Sequence, residues 1–382
     1  MPPSILTLCA RIKSHSLQRS QLLTASHNFQ QWDDLLHLAE KQGMAPLLHM
    51  HLTAEREDLP DTFLRGLRFL CLRHQRANEL LTKSLGSVLS LLETKGIPSL
   101  VLKGAALCQT LYPKIGLRPM RDIDLFLAQE DVEHVHLLLQ QKGFRVADDL
   151  LPDHYFHLPP LFQNIDGLEV CLELHHGLFP KEPPYYKALS FAELHRHAQS
   201  FEVDGREAYA LANEEMLWHL FQHGFHAPLT YEPYKLISAA DIVGLVESQV
   251  DTLDWEKIRK VYPQLFRALP LFHHLTPWHD AVLRKIPNEK RRRRSTPSGA
   301  GDSYKGWPRS RFGRQEDKGL VKTLQNTILP SRWWLMLYYS TGESIFSILW
   351  CRLILHPLHI LRWVKMYGMG LLRGKKRATD ED

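Results

Sequence analysis

The sequence predicts an α+β fold: a small mixed β-sheet core over residues 96–205, flanked by N- and C-terminal helical regions. Three observations point there. Residues 30–95 carry apolar side chains at helical spacing, residues 97–174 switch to short apolar runs bounded by glycine, and helical spacing returns from about 213 to 261. With 382 residues, 44% of them apolar and 23% charged, the chain has the length for a sizeable core. That composition excludes wholesale disorder, a collagen-like repeat and a polytopic membrane protein.

In chain order, residues 1–95 form the N-terminal helical region. Leu80, Leu81, Leu85, Val88, Leu89 and Leu92 make one apolar stripe, which Gly96 and Pro98 stop. Candidate strands follow at 97–102, 123–128, 144–146, 155–162 and 168–174. Between the first two a short helix starts near Gly104, and a second helix from Glu130 to Lys142 ends at Gly143. Residues 206–283 form a helical region that packs on the core, 284–322 a basic flexible linker, and 323–382 a set of aromatic-rich C-terminal helices.

The net charge of +5 is unevenly spread. Residues 284–322 hold thirteen Lys/Arg against four Asp/Glu, and residues 331–382 hold eight against four, which leaves −8 for the rest. An acidic main body lacks the basic face that tracks a nucleic-acid backbone. The Arg291 to Arg294 run reads as a solvated linker, with an anchor for RNA or anionic lipid as the functional alternative. Five cysteines, with no C-x-x-C pair, read as free thiols in a reducing compartment and give no zinc ribbon. The N-terminus has its basic residues after a short apolar run, unlike a secretory signal. The expected location is the cytoplasm, with peripheral contact at the inner membrane face as an option for the tail. Between Arg332 and Arg352 only Glu343 carries charge. Packed helices, an interfacial amphipathic anchor and a spanning helix stay open there, although residues 340–343 split the stretch into pieces expected to be too short to cross about 30 Å of hydrocarbon.

Residues 100–127, LVLKGAALCQTLYPKIGLRPMRDIDLFL, carry the chemistry. Asp122 and Asp124 lie two apart in a strand and so share a face, while Ile123 and Leu125 point to the core. Two carboxylates held this close repel unless a cation neutralises them, and hard Mg²⁺, completed by phosphate oxygens and water, is the economical choice. A bland strand-end pair facing solvent is the alternative. Upstream, a strand runs into Lys103, Gly104 and a helix, so that backbone N–H groups and an ammonium face an anion and glycine permits close approach. A phosphate cradle and a metal pair on neighbouring strands make the two halves of a nucleoside-triphosphate site.

A glycine turn followed by an aspartate pair in a second strand resembles the core signature of the nucleotidyltransferase superfamily, the fold of DNA polymerase beta and the antibiotic nucleotidyltransferases. Over roughly residues 30–265 the chain is more closely similar to a bacterial family of uncharacterised nucleotidyltransferases. The motifs are KGAAL, LRPMRDIDLFL, a helix and a Gly-Phe, LELHHGL, EEMLWHLFQHGFH, ADIVGLVE and DWEKI, in that order. The resemblance implies a third carboxylate on a neighbouring strand, at Glu173, where relatives usually carry Asp. A two-ion site gives the same demand independently, because two aspartates alone are a sparse cage. Asp122, Asp124 and Glu173 are thus the expected catalytic and metal-binding residues. The implied cofactor is Mg²⁺, as two ions, with Mn²⁺ as the alternative. Relatives commonly have Gly-Ser or Gly-Gly where this chain has Gly104 and Ala105, so a hydroxyl contact to phosphate is lost and Lys103 is the expected substitute.

Arg118 reads as a phosphate contact or a loop-fixing ion pair. His175 shares the strand face of Glu173 and either orients a carboxylate or the acceptor, or is structural. Arg121 points away by strand alternation. A zinc hydrolase needs Glu after the first histidine of HLFQH, and Leu220 stands there, so His219, His223 and His226 are expected to line the cleft or cap helix packing. Glu215, Asp241 and Trp255 read as mostly structural. The implied reaction is nucleotidyl transfer from a nucleoside triphosphate, releasing pyrophosphate, to an acceptor that is a small molecule, RNA or protein. A toxin-like modifier of tRNA or protein, and a non-catalytic scaffold or peripheral membrane protein with an anionic membrane surface as partner of the tail, are the alternatives.

Overall fold

The structure, a computed structural model, describes residues 5–147, 156–179, 189–225, 235–273, 275–286, 328–330, 335, 338–339, 344–362 and 364–365. The N-terminal helices are α1 (Ile5–Leu8), α2 (Ser16–Ser26), α3 (Trp32–Lys41), α4 (Ala45–Glu55) and α5 (Asp61–Thr94). At 34 residues, α5 is about 51 Å long. Its first half packs on α3, where the Trp32 and Phe63 rings meet at 4.9 Å. Leu81, Leu85, Val88, Leu89 and Leu92 on its second half are buried, each Leu contributing about 2 kcal/mol by leaving water. Gly96, at φ +66°, takes the left-handed turn that ends the helix and feeds the sheet.

The sheet has seven strands: β1 (Ser99–Val101), β2 (Asp122–Leu127), β3 (Arg145–Val146), β4 (Leu161–Ile165), β5 (Leu168–His175), β6 (Gln199–Val203) and β7 (Arg206–Ala210). Their order is β3-β4-β5-β2-β1-β7-β6. The central strand β2 pairs antiparallel with β1 and parallel with β5. Between the strands lie α6 (Lys103–Thr110), a 3₁₀ turn at Ile115–Leu117, α7 (Val132–Gln141) and α8 (Phe191–Arg196). After the sheet come α9 (Asn213–Phe225), α10 (Leu236–Ser248), α11 (Trp255–Val261), α12 (Pro263–Phe272) and α13 (Asp280–Leu283). The N-terminal segment docks on this last group. Buried Arg11 pairs with Glu247 and donates to Thr276 Oγ1 at 2.9 Å and to the Pro277 carbonyl at 2.8 Å.

Several expectations need correction. The β6–β7 hairpin was not anticipated, and it carries the sheet to Ala210, past the expected core boundary at 205. Its turn, Asp204 and Gly205 at φ +50° and +72°, is the aspartate-glycine pair that tight hairpins favour. The strand expected over 155–162 is paired over Leu161–Ile165 instead, with an isolated bridge from His157 to His175, and residues 148–155 lie outside the described residues. Residues 287–322 of the expected linker also lie outside them. At the C-terminus, the helix Ile345–Arg362 (α14) has 18 residues and is by length and composition able to cross a membrane. The pieces beyond residue 343 are therefore not all too short, because 18 residues span about 27 Å.

Candidate active site

Parallel pairing of β2 with β5 sets Asp122 opposite Cys171 and Asp124 opposite Glu173. In a parallel pair, residues in register project to the same face, so Asp122, Asp124, Glu173 and His175 share one side of the two central strands. One ligand atom from each of Asp124, Glu173 and His175 lies within 4.8 Å of the other two. Ile123 and Leu125, on the opposite face, are buried in the core.

Lys103, two residues past the end of neighbouring strand β1, closes the site. It opens α6 at φ +44°, a left-handed conformation that costs a non-glycine residue about 1–2 kcal/mol. Its Nζ sits 2.8 Å from Asp124 Oδ1, and the Leu102 N–H donates to the Asp124 carbonyl at 3.0 Å. His175 Nε2 reaches the same Oδ1 at 2.9 Å and Glu173 Oε2 at 3.5 Å. His157, brought in by the β-bridge, stands 3.9 Å from Glu173 Oε2.

These contacts set the charge states. Burial of Asp124 opposes ionisation, but the Lys103 ammonium and hydrogen-bonded His175 outweigh it and hold this carboxyl well below the ordinary range. Asp122 lacks such a partner. Burial, then repulsion from Asp124, push it up to about 6. Burial counts against the charge of Lys103, and the surrounding carboxylates more than restore it, leaving its pKa raised. His175 is also raised, because its bonds to Asp124 and Glu173 overcome its burial. Three carboxylates thus crowd around one ammonium. This oxygen-rich donor set and the crowding felt by Asp122 fit a divalent cation such as Mg²⁺ or Mn²⁺.

A second cluster lies beside the first turn of α6. Arg118 donates from Nε and Nη2 to both oxygens of buried Asp241, at 2.9–3.2 Å, and Tyr112 Oη donates to Asp241 Oδ1 at 2.7 Å. Of the two readings open for Arg118, the ion pair is the one visible. Gly104 is held to glycine by a second demand, beside the anion approach expected of it. A Cβ at Gly104 would stand 2.0 Å from Arg118 Nη1, so the arginine itself requires glycine here. Ala105 is buried and offers a ligand only its backbone N–H, one of the first-turn donors that have no intrahelical acceptor. Arg121 is exposed.

Asn78, on α5, holds the Arg118 loop. Its Nδ2 donates to the Ile115 and Arg118 carbonyls at 2.5 and 2.8 Å, and its Oδ1 accepts from the Met120 N–H at 3.0 Å. The sequence holds a usable signal for it: a polar residue one turn from Leu81 and two turns from Leu85 on an otherwise apolar stripe. From the sequence Asp241 reads as structural, with its partner unseen, and His157 carries no signal because strand pairing alone places it. Of the histidine group, His219 is buried 5.2 Å from the Phe179 ring, with neither ring nitrogen hydrogen-bonded, and His223 stacks on it at 6.4 Å. Burial, then the nearby Lys103, hold His219 well below the usual histidine range. His226 lies outside the described residues.

A family model described as "Uncharacterised nucleotidyltransferase" matches residues 28–276. No curated protein matches the sequence. Among solved structures, similarity is found to the antibiotic-resistance factor ANT(2'')-Ia in solution (19% identity, 50% of this chain and 96% of that one, TM-score 0.32). ANT(2'')-Ia in complex with adenylyl-2''-tobramycin gives 17% identity, 48% and 95% coverage and a TM-score of 0.33. An antigenic nucleotidyltransferase-like protein from Paracoccidioides brasiliensis gives 14% identity, 54% and 97% coverage and a TM-score of 0.33.

Proposed function

We propose, for a chain that belongs to the family of uncharacterised nucleotidyltransferases, a divalent-metal-dependent transfer of a nucleoside monophosphate from a nucleoside triphosphate to an acceptor hydroxyl or phosphate, with release of pyrophosphate. The observation that carries this reading is the register of Asp124 beside Glu173, with Asp122 two residues away and Lys103 at the first turn of α6 opposite them.

Asp122, Asp124 and Glu173 are the residues that would hold Mg²⁺ or Mn²⁺. When bound, the metal supplies Lewis acidity that lowers the pKa of an acceptor hydroxyl and offsets charge on the leaving pyrophosphate. The protein's own groups do the rest. The first-turn N–H groups of α6, at Gly104 and Ala105, point their partial positive charge at an incoming phosphate. Lys103 adds a full charge there. Arg118 is fixed against Gly104 by Asp241, so its guanidinium meets a phosphate without first being ordered, which lowers the entropic cost of binding. Asp241 accepts from Nε and Nη2, while Nη1 makes only a 3.3 Å contact with the Pro119 carbonyl and is the donor best placed to turn outward. His175 holds Asp124 and Glu173 in place through one nitrogen. Glu173, the more exposed of this pair, would accept the acceptor's proton.

Two triphosphate preparations, labelled at the α- or the γ-phosphate, separate this reaction from its competitors. Incubated with cell lysate and Mg²⁺, the protein should move the α-label onto an acceptor and leave the γ-label in pyrophosphate. Nuclease and protease digestion of the labelled product then tell RNA, protein and small-molecule acceptors apart. Transfer of the γ-label would make the protein a kinase and overturn the proposal.

A further inference from the structure

We propose that α14 is a membrane-surface element that lies in the plane of a bilayer carrying anionic lipid. Its solvent side is apolar to an unusual degree: Ile345 is 70% exposed, Phe346 85%, Trp350 58%, Leu353 64% and Leu361 64%. Single exposed apolar residues are ordinary, whereas a continuous row of them marks a surface that meets something else. A π-helical turn at Cys351–Leu355 lies within the row, and apolar residues are exposed before, within and after it: Phe346 and Leu349, then Leu353, then Leu358 and Leu361.

The other side of the helix is already satisfied. Ile348, Cys351, His356 and His359 are buried, and Tyr339 Oη bonds both histidines, at 3.0 and 3.2 Å. The exposed side thus remains available to a partner while the helix is folded.

Charge identifies that partner as an anionic bilayer. From Ser344 to Thr379 the chain holds seven Lys/Arg and no Asp/Glu, four of them packed into residues 373–377. An apolar protein groove would accept the row of side chains but would give no reason for this one-sided charge. A bilayer with anionic headgroups accounts for both. Trp350 has the amphipathic ring favoured at the interface. Arg352 sets the orientation. It lies near the middle of the helix, and its Nη2 donates to the Pro330 carbonyl at 3.0 Å, so a crossing helix would carry this polar pair into hydrocarbon. A helix lying flat leaves it at the headgroups.

The test is co-flotation of the full chain with vesicles of phosphatidylcholine alone or with about 30% phosphatidylglycerol. The wild type should float with the anionic vesicles in about 0.1 M salt, and the excess over neutral vesicles should vanish near 1 M. The surface variant F346E/L353E/L361E should reduce the bound fraction roughly tenfold or more, with an unchanged circular dichroism spectrum. A second variant, R373A/K375A/K376A/R377A, should abolish the preference for anionic over neutral vesicles. Wild type that stays with the unbound fraction, or a triple variant that floats as well as wild type, overturns the proposal. So does bound protein that resists alkaline carbonate, which would mean a crossing helix, or a triple variant altered only in oligomeric state, which would mean a second copy on this face.

Discussion

Replacing Asp122 with asparagine should make the metal-free protein more stable while removing its activity. In the folded chain this carboxyl titrates at about 6 against an ordinary value of 3.8, because it is buried beside Asp124 and Glu173. A raised folded pKa means that the folded state favours the protonated acid. Its contribution is fully favourable only below the unfolded value and is lost as pH rises through 6, so at neutral pH the ionised group is a burden. A shift of about two units corresponds to about 3 kcal/mol at pH 8, falling to roughly half that at pH 5. Asparagine keeps the shape and removes the charge. Thermal unfolding in EDTA should therefore show the variant melting about 5 °C above wild type at pH 8, with a smaller gap at pH 5. Added Mg²⁺ or Mn²⁺ should raise the wild-type midpoint and narrow the gap, because an ion that binds only the folded state stabilises it. A variant less stable than wild type at pH 8, or a gap that metal leaves unchanged, would refute this picture of crowded carboxylates awaiting a cation.

The remaining predictions concern the groups around that cluster. Gly104→Ala places a methyl 2.0 Å from the Arg118 guanidinium. The arginine must then leave Asp241, and the expected result is weaker triphosphate binding, read by titration calorimetry, with about 1–3 kcal/mol of lost stability. Asp241→Asn should cost about 3–5 kcal/mol in denaturant unfolding, because it strands a buried guanidinium. Asp241→Asn together with Arg118→Met should recover part of that stability without recovering triphosphate affinity. Asn78→Ala removes three hydrogen bonds to the Arg118 loop. It should cost about 2–3 kcal/mol and raise KM for the triphosphate more than it lowers kcat.

How much of this was legible in the sequence depended on the range of the interaction. The aspartate pair could be read locally, because a period of two forces Asp122 and Asp124 to one face whatever else the chain does. Lys103 and Gly104 could be read as a strand-to-helix turn for the same reason. Glu173 needed the family resemblance, since nothing local says that its strand lies parallel to β2 in the register that sets it beside Asp124. The Arg118–Asp241 pair joins residues far apart in sequence, and only tertiary packing reveals it. That packing also adds a cause for Gly104 that the sequence does not show: an arginine of the same chain approaches it closely. The β6–β7 hairpin had its Asp204–Gly205 turn in plain view. Its strands, QSFEV and REAYA, carry too many polar residues to display the apolar run that marked the expected strands.

Crystals soaked with Mn²⁺ and a non-hydrolysable triphosphate, with diffraction recorded at the manganese edge, test the core of this picture most directly. The predicted result is anomalous density among Asp122, Asp124 and Glu173, with the triphosphate reaching from it to Lys103 and the first turn of α6. Manganese bound elsewhere, or a triphosphate that leaves these three carboxylates untouched, would contradict it.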